Sequence, residues 1–226
     1  MIIQSQYVYL VTTFVSLIPA LIFFFTHKRY RLDMMSVGLV VAVLSLLSAR
    51  LFWTKDWWFP ETITGGNFGI EDFILGFYTG SFAVIINTLF FPVRVTGWKN
   101  KNWNIVFSTV VLSFISILIF FNVFSLSSFN SFLISSVVAV FWMFARSKIN
   151  PVRTVYFAVV YSVFSLWLYF FILLINKDWI QQTWDLDLLS GITLFGFIPI
   201  EEYVFWLVFG VIFRQIYLAW LNNKKD

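Results

Sequence analysis

Ile70-Glu71-Asp72-Phe73-Ile74-Leu75-Gly76-Phe77-Tyr78-Thr79-Gly80 and Ile200-Glu201-Glu202-Tyr203-Val204-Phe205-Trp206-Leu207-Val208-Phe209-Gly210 share one design. The isoleucine, the first glutamate and the last glycine are identical, and the second acid and the aromatic after it are conservative replacements. Acids favour helix N-termini, where they meet free N–H groups and the positive end of the dipole. A run of about 20 apolar residues is long enough to cross a hydrocarbon core. Each stretch therefore predicts the start of a membrane-spanning helix with two carboxyls at its mouth.

Working outward, seven runs meet the length criterion: Tyr7–Phe25, Met35–Trp53, Glu71–Phe91, Ile105–Phe124, Ser131–Phe144, Thr154–Ile175 and Glu201–Leu221. The fifth is short, and its start can lie nearer Ser125. Of 226 residues, 60% are hydrophobic and 12% charged, against about 25% charged in a soluble domain. With a mean hydropathy of +0.86, this predicts an all-α integral membrane protein with no large soluble domain. The first run has no basic segment ahead of it and has one behind it, so no cleavable signal peptide is expected. The absence of cysteine excludes disulfides and thiolate metal sites.

Charge predicts the orientation. Lys28, Arg29 and Arg31 lie between the first and second runs, Arg94, Lys99 and Lys101 between the third and fourth, and Arg146, Lys148 and Arg153 between the fifth and sixth. Arg214, Lys224 and Lys225 lie at the C-terminal end. Twelve of the fifteen basic residues thus share one side, and only Arg50, Lys55 and Lys177 oppose them. The positive-inside rule makes that side cytoplasmic, with the N-terminus outside and the C-terminus inside a cell membrane. Because the basic residues follow topology, the net charge of +4 is not a nucleic-acid footprint. Nine of eleven acids (Asp56, Glu61, Glu71, Asp72, Asp178, Asp185, Asp187, Glu201 and Glu202) fall on the outer side, with Asp33 and Asp226 inside. Chemistry or binding is expected on the outer face.

Upstream of the matched stretches, Lys55-Asp56-Trp57 matches Lys177-Asp178-Trp179, and the second outer loop is eight residues longer. Matches in the same order at the same membrane depth argue for duplication. The repeat unit is then three helices, spans 1–3 and spans 5–7, with span 4 as the linker: residues 1–95, 129–226 and 96–128. One extra crossing gives both units the same orientation, so parallel repeats are expected, with an axis along the membrane normal. The acidic starts of spans 3 and 7 are expected to face one another across a central cleft.

Glu71-Asp72 follows Gly65, Gly66 and Gly69, and Glu201-Glu202 follows Gly191, Gly196 and Pro199. A helix cap needs one acid, and each start has two. Neighbouring helical residues point about 100° apart, so one acid can serve the helix while the other faces the cleft. Carboxyls close to hydrocarbon and to each other cannot all ionise. One is expected to stay neutral and able to donate a proton, while an ionised partner accepts one. That is an acid–base pair needing no metal or flavin, and acids within a membrane are candidates for function. Other chemistries lack their residues. The only histidine, His27, is read as a solvated loop residue, and every lysine lies in a loop or tail, which excludes a retinal site. A diphosphate–Mg²⁺ site wants spaced aspartates, whereas these pairs are contiguous, and no dinucleotide or P-loop glycine pattern is present.

Thirty Phe, nine Tyr and eleven Trp load the chain with rings. Trp53, Trp57, Trp58, Trp179 and Trp184 toward the outer edge, and Trp98, Trp103, Trp142 and Trp220 toward the inner edge, are read mainly as interfacial belts. Phe73, Phe77, Tyr203, Phe205, Trp206 and Trp167 are the candidates to line a cleft beneath the acids. Asp56 with Trp57 and Asp178 with Trp179 are expected to close the outer loops. Aromatic faces stabilise cations, and excluding water keeps a carbocation from being quenched. Acids above an aromatic, lipid-continuous cavity therefore suit protonation of a polyene.

Pro199-Ile200-Glu201-Glu202-Tyr203-Val204-Phe205 resembles the Pro-x-Glu-Glu-x-x-Phe motif of the heterodimer-type lycopene cyclase domain, a family of small membrane proteins that occur as two subunits or as one fused chain. The resemblance extends to the first half through Trp57, Trp58, Phe59 and Gly69-Ile70-Glu71-Asp72-Phe73, with Gly69 at the motif proline and Asp72 at the second glutamate. It implies flavin-independent cyclisation of a linear carotenoid or other isoprenoid end group, by proton addition and later proton loss at Glu71, Asp72, Glu201 and Glu202. Two other readings remain open: a small-molecule carrier of the SWEET type, which has the same three-plus-one-plus-three layout, and a non-catalytic lipid-binding membrane protein. A carrier wants polar groups at mid-membrane, where this chain has mostly Phe, Val, Ile and Leu.

Overall fold

The computed structural model describes residues 3–91, 101–147 and 149–221. Arg94, Trp98, Lys99, Lys148, Lys224, Lys225 and Asp226, and the boundary drawn between residues 95 and 96, lie outside the described residues. Among those described, the helices are α1 (Ser5–Thr26), α2 (Arg31–Leu51), α3 (Ile70–Phe90), α4 (Trp103–Asn122), α5 (Ser128–Arg146), α6 (Pro151–Ser165), α7 (Trp167–Ile175), α8 (Trp179–Thr183) and α9 (Ile200–Trp220). A two-stranded hairpin, β1 (Thr193–Leu194) and β2 (Ile198–Pro199), precedes α9.

Among the described residues, seven helical stretches are long and apolar enough to cross a membrane: Ser5–Thr26, Lys28–Lys55, Ile70–Phe90, Trp103–Asn122, Ser128–Arg146, Pro151–Ile175 and Ile200–Trp220. They match the seven expected runs to within a few residues, save that single 3₁₀ turns at Lys28–Tyr30 and Trp53–Lys55 lengthen the second. The fifth starts at Ser128. The sixth is interrupted at Leu166, where Leu166 N–H turns to Val163 O and Tyr169 N–H to Leu166 O, three-residue bonds that tighten the chain between α6 and α7.

The chain divides into two compact units, Met1–Ile85 with Val163–Tyr203 and Ile86–Ser162 with Val204–Asp226. These are spatial units and do not coincide with the three-helix sequence repeat. In the first, α1 packs on α7. Gly80 lets α3 approach α2 closely, since a Cβ there would sit 2.7 Å from Val37 O. The loops that follow α2 and α8 are joined by backbone: Phe59 N–H donates to Thr183 O (2.7 Å) and Asp185 N–H to Trp57 O (3.0 Å), placing Trp58 opposite Trp184 in an antiparallel bridge. At the tip of the β1–β2 hairpin Phe195 and Gly196 have φ of 54° and 78°, the backbone hand that suits the twist of a short hairpin.

That joined layer corrects the belt reading of the outer tryptophans. Trp53, Trp57, Trp179 and Trp184 are buried, with Trp58 half-buried. Trp53 meets Trp57 edge to face, and Trp179 meets Trp184 likewise, with centroids 5.9 and 5.6 Å apart. Rings in such numbers beside loops that bond to each other pack inward as a core. Trp57 and Trp179 thus hold the loops from inside. Asp56 is half-buried beside its tryptophan, and Asp178 is exposed just ahead of α8.

In the second unit α4 packs on α5, with Thr109 Oγ1 bonded to Met143 Sδ (3.0 Å). Gly210 lets α9 approach α6, since a Cβ there would lie 2.8 Å from Ala158 Cα. Arg214 and Lys101, counted above with the basic cytoplasmic edge, are buried. Arg214 donates to Asn87 Oδ1 between the rings of Phe91 and Phe157, and Lys101 Nζ lies 3.6 Å from the centre of the Trp220 ring. Their long stems and charged heads are accommodated by amide and ring faces. His27 is exposed, stacked on Phe23.

Candidate functional site

All four acids of the matched stretches lie in the first unit and are buried, with exposures of 0% for Glu71, 1% for Asp72, 7% for Glu201 and 6% for Glu202. A buried carboxyl needs hydrogen-bond donors around it. The donors found here are backbone N–H groups, tyrosine hydroxyls and one indole, and none is a cation.

The first acid of each pair is held in the same way. Glu71 Oε1 accepts from Ile63 N–H in the loop before α3 (2.8 Å), and Glu201 Oε1 accepts from Ser190 N–H in the loop before α9 (2.7 Å). Each loop is thereby latched over its helix start. The other oxygen, Oε2, is buried in both residues without a hydrogen-bond partner among the described residues. Glu71 Oε2 occupies the space beside Gly69, where a Cβ would lie 2.5 Å from it. A larger residue at 69 has to displace the carboxyl.

The second acids each accept a buried tyrosine hydroxyl. Tyr9 Oη of α1 donates to Asp72 Oδ1 (2.8 Å), and Tyr169 Oη of α7 donates to Glu202 Oε2. Their other oxygens differ. Asp72 Oδ2 accepts from Gly69 N–H (2.8 Å), the reach-back bond of a capping box, in which the third helical residue satisfies an N–H at the helix start. Glu202 has no such donor, because residue 199 is proline and carries no N–H. Its Oε1 accepts instead from Trp184 Nε1 (2.7 Å).

Rings link the two pairs. Tyr9 lies 6.1 Å from Trp179 and 5.4 Å from Trp58, Trp179 lies 5.6 Å from Trp184, and Trp184 lies 6.0 Å from Tyr169, all between centroids. The wall between Asp72 and Glu202 is therefore aromatic, and Trp179 contributes a buried Nε1–H with no acceptor among the described residues.

Of the residues expected to line a cleft, Phe73, Phe77, Tyr203 and Trp167 belong to the unit that holds the acids and are half-buried. Trp167 Nε1 donates to Tyr78 Oη (3.0 Å). Phe205 and Trp206 belong to the second unit, where Phe205 packs on Phe132 and Phe209, and Trp206 on Tyr161. The sequence reading missed Tyr9, Tyr169 and the bond from Trp184. The available signal was a pair of hydroxylated rings near the outer ends of apolar runs, where a buried phenol must find an acceptor.

Comparison with models of known protein families, with curated proteins and with solved structures finds no match to this chain.

Proposed function

We propose that this chain is a multi-pass membrane enzyme that cyclises a linear isoprenoid by acid catalysis, with lycopene-type end groups as the favoured substrate, as its resemblance to the lycopene cyclase domain implies. Its seven apolar stretches span a cell membrane with the N-terminus outside, the C-terminus in the cytoplasm and the acids toward the outer side. Spans 1–3 and 5–7 are parallel repeats joined by span 4. Gly80 and Gly210, eleventh in their matched stretches, each seat a helix against the membrane-length stretch that precedes it, which supports the duplication.

The observation that carries the functional reading is the set of four buried carboxyls with no cationic partner among the described residues, two of them keeping one oxygen open beside acids whose own partners form a chain of aromatic rings. A structural acid in a membrane ordinarily has all its oxygens engaged. Open oxygens suit exchange of a proton with a carbon that brings no hydrogen bond of its own. In the reaction, a carboxylic acid adds its proton to a terminal C=C bond, forming a C–H bond and leaving a tertiary cation. The π electrons of a second C=C bond close the ring by forming a C–C bond at one of its carbons, and the cation is left on the other. A carboxylate removes a proton from a carbon next to that cation and a C=C bond forms. No atom is gained or lost and no electron carrier enters, so the overall change is an isomerisation. Ring faces stabilise the cation, and the dry setting keeps water from trapping it.

The test is expression in a bacterium that accumulates lycopene, with pigments separated by chromatography. Cyclic products are expected from the native chain and absent from E201Q. A folded native chain that converts neither lycopene nor other linear isoprenoids overturns the proposal.

A further inference from the structure

We infer that Tyr9 and Tyr169 are positioning residues that fix the second acid of each pair, so that the open Oε2 atoms of Glu71 and Glu201 are the ones left to meet the substrate. The inference deepens the acid-catalysis reading and rests on it for its kinetic part, while the contacts themselves stand apart from any activity.

The two tyrosines come from different helices, α1 and α7, and neither lies in the helix that carries its acid. Both are buried, and both bring a hydroxyl to the same member of the pair. This is the one bond that the two second acids have in common, since their remaining oxygens take a backbone N–H in one case and an indole in the other. With two donors each, Asp72 and Glu202 have both oxygens committed. Glu71 and Glu201 spend one oxygen on a loop N–H and keep the other uncommitted. A carboxyl with an uncommitted oxygen can turn that atom toward a C=C bond without breaking an existing contact. One with both oxygens engaged has to lose a bond first. The titratable neighbours of Tyr9 are Asp72, Glu71 and Tyr169, and those of Glu202 are Tyr169 and Glu201. Removing either hydroxyl therefore alters how a proton is shared within a pair and not only how the helices pack.

The experiment uses the full chain in lipid vesicles. Infrared carboxyl bands are assigned with D72N and E202Q, then followed in Y9F and Y169F through a pH titration, alongside turnover of a linear polyene. Y9F is expected to move the Asp72 band and Y169F the Glu202 band. Each is expected to lower kcat about tenfold to a hundredfold, the worth of one hydrogen bond to a carboxylate, with KM changed less than twofold and the pH profile displaced. A merely structural role would reduce the yield of folded protein and leave the bands and pH profile of the folded fraction in place, which overturns the inference even in a chain that cyclises its substrate. Bands that move in a chain that cyclises nothing uphold the tyrosine assignment and overturn the cyclase reading.

Discussion

The two acid pairs are alike at their first carboxyl and unlike at their second, and one position separates them. Glu71 and Glu201 each latch a loop N–H with Oε1 and leave Oε2 open. Asp72 is short and reaches back to the N–H of Gly69. Glu202 is longer, faces a proline that has no N–H to give, and turns to Trp184. Asp72 thus divides itself between capping a helix and accepting from Tyr9, whereas Glu202 is held by side chains alone. A glycine-to-proline difference just before the helix decides whether the second acid serves the backbone or is freed from it.

The largest effects should come from what the pairs share. If the open oxygens react, one gives the proton and the other collects it, so E71Q and E201Q should each lower cyclic product by about 10²–10⁴-fold, the usual contribution of a general acid or base. The measurement is product formed per folded protein in membranes. Near-full activity in E71Q with none in E201Q breaks the likeness and leaves the second pair acting alone. The isosteric amide keeps the Oε1 contact to the loop N–H, so a loss is not a loss of the latch.

Much of this could be read before any coordinates. The seven apolar runs, the pairing of residues 70–80 with 200–210, and the placing of two acids at each helix start follow from length, periodicity and position alone. The partners of the acids did not, because they are long-range: Tyr9 reaches Asp72 across 63 residues and Tyr169 reaches Glu202 across 33. The tryptophans misled for a related reason. A ring near the end of a span reads as interfacial when the loop beside it is taken as solvated, and nothing local tells that Trp58 and Trp184 lie opposite each other in a backbone bridge. The same holds for Arg214, whose charge counted toward the cytoplasmic edge while its guanidinium is buried against Asn87.

A second test of likeness lies in the closing glycines. A methyl at Gly80 would sit 2.7 Å from Val37 O and one at Gly210 2.8 Å from Ala158 Cα, and both obstacles are main-chain atoms that cannot turn aside. G80A and G210A should each destabilise the folded protein by about 1–3 kcal/mol through overpacking, read as thermal unfolding in detergent. Similar losses sharpen the picture of two copies using one packing device. A loss at only one site confines the close crossing to that copy.

The smallest effects concern the position that separates the pairs. G69A keeps the N–H and adds a methyl where Glu71 Oε2 now lies, whereas G69P also removes the donor to Asp72 and so gives the first copy the chemistry of the second. G69P should be less stable than G69A by about 0.5–2 kcal/mol, the value of a helix cap. The reverse exchange is not symmetric. P199G restores an N–H at the start of α9, but both oxygens of Glu202 are already taken by Tyr169 and Trp184, so the new donor finds no free oxygen on Glu202. Its cost should be only the added freedom of the unfolded chain, about 0.4–1 kcal/mol, with turnover nearly unchanged. A large gain in stability from P199G would mean that Glu202 abandons the indole for the helix start. The side-chain cradle would then be a consequence of the missing N–H, with no preference of its own.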